Sequence, residues 1–174
     1  MDSVWHYKLK FMNIIELEKY ATELGACLQQ NGLYLVTAES CTGGWVATAV
    51  TAISGSSAWF DRGFVTYSNA AKQELLSVHH ETLVKYGAVS EQTVLEMVNG
   101  ALAHSQAQVG VAISGIAGPS GGTPDKPVGT VWIAYAFPHN TYAQHNYFSG
   151  DRTRIREQAV ITALQKLLHG LNYK

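Results

Sequence analysis

Apolar side chains recur at helical spacing from residue 14 to 31. Leu17, Ala21, Leu24 and Leu28 share one face, and Gly32 follows as a stop. The pattern then changes. LYLVTAES (33–40) is an apolar run of strand length that ends at CTGG (41–44). WVATAVTAI (45–53) returns to helical spacing, with Val46, Val50 and Ile53 on one face. RGFVTYS (62–68) reads as a strand, and Asn69 as the N-cap of a short helix, AAKQELL. Ser90 caps a helix over 91–105 that buries Val94, Met97, Ala101 and Leu102. QVGVAIS (108–114) alternates Val109, Val111 and Ile113, then runs into the loop GIAGPSGG. Strands follow at 128–137 and 141–148, and a last helix over about 151–169 carries Ile155, Ala159, Leu164, Leu167 and Leu168. Helices interleave with strands, which predicts a three-layer α/β/α sandwich. The last two strands are close in sequence, so the sheet is expected to be mixed and mostly parallel.

The bulk properties narrow the class. The 174 residues contain no internal repeat, low-complexity tract or linker, so residues 13–174 form one domain and residues 1–12 an appended N-terminal arm. Net charge is −1, which argues against a nucleic-acid or membrane-surface partner. The two cysteines, Cys27 and Cys41, are too few for a disulfide framework and are not spaced for zinc. The first twelve residues lack the apolar run of a signal peptide, and no later stretch reaches the ~18 apolar residues of a membrane span. A reducing, cytoplasmic setting is expected, with no metal and no cofactor. His79 and His80 are adjacent, a poor spacing for one metal on a helix, and read as surface residues.

Candidate chemistry gathers at four strand ends. TAESCTGGW (37–45) takes a strand through a Gly-rich turn into a helix. Helix N-termini leave amides free, so Thr42, Gly43 and Gly44 suit a phosphate or a developing oxyanion, with Ser40 pointing into the same pocket. The same serine and threonine also suit plain helix capping. In YSNAAK (67–72), Lys72 becomes a base if burial lowers its pKa, and Tyr67 then relays a proton or orients it. A solvated surface lysine fits the spacing equally. In ISGIAGPSGG (113–122), Ser114 and Gly115 sit where a third strand end would join the pocket, or form a structural turn with Pro119. In FSGDRTRIRE (148–157), Arg152 opens the last helix, with Arg156 four residues on along the same face. A guanidinium there is electrostatically misplaced unless it serves an anion or pairs with Asp151 or Glu157.

Four segments, TAESCTGGWVA, GFVTYSNAAK with GAVSEQTV, SGIAGPSGGTPDKPVGTVW and FSGDRTRIR, stand in this order. Together they resemble the C-terminal domain of the competence/damage-inducible CinA family over roughly residues 13–170. The resemblance implies metal-free hydrolysis of nicotinamide mononucleotide to nicotinic acid mononucleotide and ammonia, by a homodimer acting on a small pyridine nucleotide. It places the nucleophile at Ser40, the base at Lys72, an assisting tyrosine at Tyr67 and the arginine at Arg152. Ser114 stands where relatives often have threonine. The family's separate N-terminal domain, with its pyrophosphatase-type activity, is expected to be absent.

Three rivals remain at this stage. One moves the nucleophile to Cys41, in a nitrilase-like set with Glu39 and Lys72. Neighbours on a strand point to opposite faces, so Ser40 and Cys41 cannot both face the pocket unless the turn bends there. The second is a dehydrogenase using Tyr67 and Lys72, which are five apart and follow no dinucleotide fingerprint. The third is a catalytically inactive nucleotide-binding or scaffold module.

Overall fold

Leu35–Glu39 (β1) is buried at every position, on both faces. A strand with no exposed face belongs in the middle of a sheet covered on both sides. In the computed structural model, which describes residues 3–172 and side chains from residue 14, it lies second from one edge of a five-stranded sheet. The arm expected over residues 1–12 has its side chains outside that description.

The strand order is β2-β1-β3-β4-β5. Phe60–Val65 (β2) and Val109–Gly115 (β3) pair with β1 in parallel. Thr130–Phe137 (β4) runs antiparallel to β3, and Asn140–Tyr147 (β5) antiparallel to β4. Four strands therefore share one direction and β4 opposes them. The sheet is mixed, as the short β4–β5 connection requires.

Alternation along the strands sorts the two helix layers. Leu35, Val109, Val111, Ile113, Val131, Ile133 and Tyr135 pack with Ser3–Asn31 (α1), Trp45–Thr51 (α2) and Arg152–Asn172 (α6). The expected faces Leu17, Ala21, Leu24, Leu28 and Ile155, Ala159, Leu164, Leu167 are buried there, while Leu168 is only half-buried. The opposite parity, Val36, Ala38, Ala112, Ala134 and Ala136, packs with Asn69–Leu76 (α3), His80–Tyr86 (α4) and Glu91–Ala103 (α5). Small residues on this face let α5 approach closely: a Cβ on Gly110 would meet Val98 at 2.9 Å. Gly100 of α5 in turn lies against the backbone of Leu76, leaving no room for a Cβ. That contact seats α3, the helix that carries Lys72.

Local differences from the sequence expectation have local causes. Ser68, not Asn69, caps α3: its Oγ accepts the Ala71 N–H at 3.0 Å. β2 stops at Val65, so Tyr67 follows the strand rather than closing it. Ser90 caps α5 as expected, with its Oγ accepting from Thr93. Helix α4 was not foreseen. Its N-terminus is held by Glu96 of α5, which accepts from the His79 N–H at 2.8 Å and the Thr82 hydroxyl at 2.6 Å. No helix among the described residues is long and apolar enough to cross a membrane.

Candidate active site

The parity that sorts the layers also divides Glu39 from Ser40. Glu39 shares the parity of Leu35 and turns toward α2. Ser40 follows Val36 and Ala38 toward the side of α3. The Ser40 N–H donates to Ile113 O at 2.9 Å, so the end of β1 is pinned to β3. The next residues reverse through Gly43 (φ +63°) and Gly44 (φ +90°), two successive left-handed positions that favour glycine.

Glu39 is fully buried, and its carboxylate accepts the N–H groups of Gly44 (3.1 Å), Val46 (3.0 Å) and Ala47 (2.9 Å). The protein thus supplies its own anion to the α2 N-terminus. Gly43 N–H donates back to Ser40 O at 3.0 Å. The two amides that the sequence offered to a phosphate or oxyanion, those of Gly43 and Gly44, thus hold hydrogen bonds within the turn. Thr42 is fully buried, and its hydroxyl has no hydrogen-bond partner among the described residues. The acid was legible as a warning. A carboxylate closing an apolar strand needs buried donors, and the turn's amides supply them.

Lys72 is 1% exposed, and its Nζ lies 3.0 Å from Ser40 Oγ and donates to Thr66 O at 2.8 Å. The surface-lysine alternative is therefore excluded. Burial pushes the lysine's pKa down. A charged Cys41 would oppose this, but burial pushes that thiol up to about 12, so it is uncharged near neutrality. Cys41 itself sits in the α1/α2/α6 cluster, away from the lysine's side of the strand. With Glu39 capping α2 and Cys41 packed as a hydrophobe, the Glu39–Lys72–Cys41 set does not assemble.

Arg152 Nη2 donates to the Tyr67 hydroxyl at 2.6 Å, and Nη1 to Gly118 O at 2.9 Å. Tyr67 is well exposed. Segments following β2 and β3 are so joined to the first turn of α6. Arg156 donates through Nε to Cys41 O and through Nη2 to Thr42 O, both at 2.9 Å, and lies 5.3 Å over the Trp45 ring. It was noted in the sequence only as a neighbour of Arg152.

Ser114 does not join the pocket as a free hydroxyl. It is 1% exposed and donates to Ala88 O at 2.7 Å, fastening the segment before α5 to the end of β3. At Gly115 a Cβ would meet Val131 at 2.7 Å, so strand packing accounts for the glycine. Among the described residues no group of three or more His, Cys, Asp or Glu is placed to hold a metal. A cavity of ≈ 820 Å³ lies at the opposite end of the sheet, between Leu33, Phe137, Tyr142 and Leu171. None of the site residues lines it.

A family model described as the CinA C-terminal domain matches residues 17–171. The nicotinamide-nucleotide amidohydrolase PncC of Escherichia coli (strain K12) is 53% identical over 153 residues, covering 87% of this chain and 93% of that protein. The protein of the same name from Pseudomonas putida is 50% identical over 148 residues, covering 85% and 92%. Among solved structures, the competence/damage inducible protein CihA from Agrobacterium tumefaciens superposes with a TM-score of 0.86 at 48% identity, covering 90% of this chain and 96% of that one.

Proposed function

The chain belongs to the CinA C-terminal domain family, and from that premise we propose that it hydrolyses the carboxamide of nicotinamide mononucleotide to nicotinic acid mononucleotide and ammonia, with Ser40 as nucleophile and Lys72 as base. The observation that carries the reading is the 3.0 Å contact between Lys72 Nζ and Ser40 Oγ inside a buried site. The identity to proteins named nicotinamide-nucleotide amidohydrolase supports the substrate.

A neutral amine has two protons and one lone pair. In the resting structure Lys72 Nζ donates to both Thr66 O and Ser40 Oγ; once the amine is neutral, one proton stays on Thr66 O and the lone pair turns to the Ser40 hydroxyl. Ser40 Oγ attacks the carboxamide carbon as its proton passes to Lys72. The tetrahedral intermediate collapses, the C–N bond breaks, and the Lys72 ammonium returns its proton to the departing nitrogen, which leaves as ammonia. An ester to Ser40 remains. Water attacks that ester, again giving its proton to Lys72, and the carboxylate product departs as Ser40 recovers its proton.

The other roles follow from unspent hydrogen-bonding capacity. Tyr67 accepts from Arg152 and so keeps its own proton to donate to the carbonyl oxygen as that atom gains charge. Arg152 has five N–H donors, of which two are committed. The remainder are available to the 5′-phosphate.

The test is an assay of both products. Wild-type protein with nicotinamide mononucleotide should release ammonia and nicotinic acid mononucleotide in equal amounts. Binding of the nucleotide without turnover would overturn the reading and favour an inactive nucleotide-binding module.

A further inference from the structure

Arg156 makes no ion pair among the described residues, although Arg154 and Glu157 pair with each other beside it. Its guanidinium is instead spent on two main-chain carbonyls and the face of Trp45. Those carbonyls belong to Cys41 and Thr42, the two residues after the nucleophile.

In a trans peptide the C=O and the following N–H point in opposite directions. Gripping Thr42 O therefore aims the Gly43 N–H, and that N–H returns to Ser40 O at 3.0 Å. Gripping Cys41 O fixes the peptide unit in between. On its other side, Ser40 is held by its N–H to Ile113 O at 2.9 Å. The Ser40 backbone is thus fixed at both ends, by β3 through its N–H and by the Arg156-clamped turn through its carbonyl. Trp45, the first residue of α2, stacks under the same guanidinium. Arg152, one turn earlier on α6, holds the segments that follow β2 and β3.

We infer that Arg156 is a positioning residue for the nucleophile: its planar fork locks the 41–42 turn, and so holds Ser40 Oγ within reach of Lys72 and of the carboxamide carbon. The inference rests on the Ser40–Lys72 reading above. It assigns to α6 a second arginine with a task distinct from phosphate binding. Lysine cannot replace it, because one ammonium does not reproduce two parallel N–H bonds in a plane.

The experiment is steady-state kinetics on nicotinamide mononucleotide for wild type, Arg156→Lys, Arg156→Ala and Ser40→Ala, each with a thermal melt. Small misplacements of reacting groups cost up to about a hundredfold. Arg156→Lys should therefore lose roughly ten- to hundredfold in kcat while KM changes by less than about threefold. Its pH–rate profile should keep the wild-type limb, because burial, not Arg156, sets the Lys72 pKa. Guanidinium chloride well below denaturing concentration should restore part of kcat to Arg156→Ala and none to Arg156→Lys. If Arg156→Ala does not fold, Arg156→Lys decides the matter alone, since its stem and charge preserve the packing. A kcat within twofold of wild type in Arg156→Lys, or a loss carried by KM, would overturn the inference. An inactive wild type or an active Ser40→Ala would instead overturn the functional reading beneath it.

Discussion

The Tyr67 hydroxyl accepts a 2.6 Å hydrogen bond from Arg152, which joins the segment after β2 to the first turn of α6. In the proposed mechanism Arg152 has two duties, supporting the phenol and offering its remaining N–H groups to a phosphate. The two duties separate by substrate. Arg152→Ala should cost about ten- to hundredfold in kcat/KM on nicotinamide mononucleotide, the equivalent of ~1.5–3 kcal/mol for a charge-assisted hydrogen bond. Nicotinamide riboside lacks the phosphate and should lose much less. Tyr67→Phe should harm both substrates alike. Equal losses of Arg152→Ala on the two substrates would remove the phosphate role.

If Lys72 is the base, as proposed, it sets the pH behaviour of turnover. A base must be neutral to act, and burial lowers its pKa from the 10.5 of a free lysine. Activity should rise with pH through that lowered value. Lys72→Arg keeps the charge but cannot accept a proton, so it should be as inactive as Lys72→Met, with nucleotide binding retained in both. Near-normal turnover by Lys72→Arg would mean that only a positive charge is needed there.

The same shift carries a stability signature. The folded state resists protonating Lys72, whereas the unfolded chain protonates it below 10.5. Between the lowered pKa and 10.5 the unfolded state binds more protons, so stability contributed by this residue rises with pH. Melting temperatures of wild type and Lys72→Met, compared at several pH values, should show wild type gaining on the variant as pH increases. A difference that does not change with pH would show that the lysine is not shifted.

Much of this site was legible in the chain, and the missing parts have a common physical origin. The turn after LYLVTAES put Ser40 at one strand end, and the helix that begins within YSNAAK put Lys72 beyond another. Strand alternation already argued that Ser40 and Cys41 face opposite ways. Sequence alone could not show that Glu39 turns back to fill the α2 N-terminus, because that depends on where the helix starts in space. It also hid the burial of Ser114 against Ala88, a contact across 26 residues. Helix α4 escaped for the same reason, since its capping acid, Glu96, lies on another helix. Arg156 was visible as the partner of Arg152 on one helical face, but main-chain carbonyls as its targets leave no residue signature.

Glu39 gives a test of how the turn is held. Three amides lose their acceptor in Glu39→Ala, and a buried unsatisfied donor costs about 1–3 kcal/mol. Chemical denaturation should show a loss of roughly 2–4 kcal/mol, allowing for partial relaxation. Glu39→Gln should be intermediate, because its NH2 faces amides that need an acceptor. If Glu39→Ala is as stable as wild type, the carboxylate does not cap α2.

The most direct measurement of the central claim compares ammonia release by Ser40→Ala and Cys41→Ala under identical conditions. The two residues are adjacent, but only Ser40 meets Lys72, at 3.0 Å, while the Cys41 thiol is buried and pushed up to about 12. Ser40→Ala should release no ammonia from nicotinamide mononucleotide while remaining folded, and Cys41→Ala should keep substantial activity. An active Ser40→Ala beside an inactive Cys41→Ala would contradict the account.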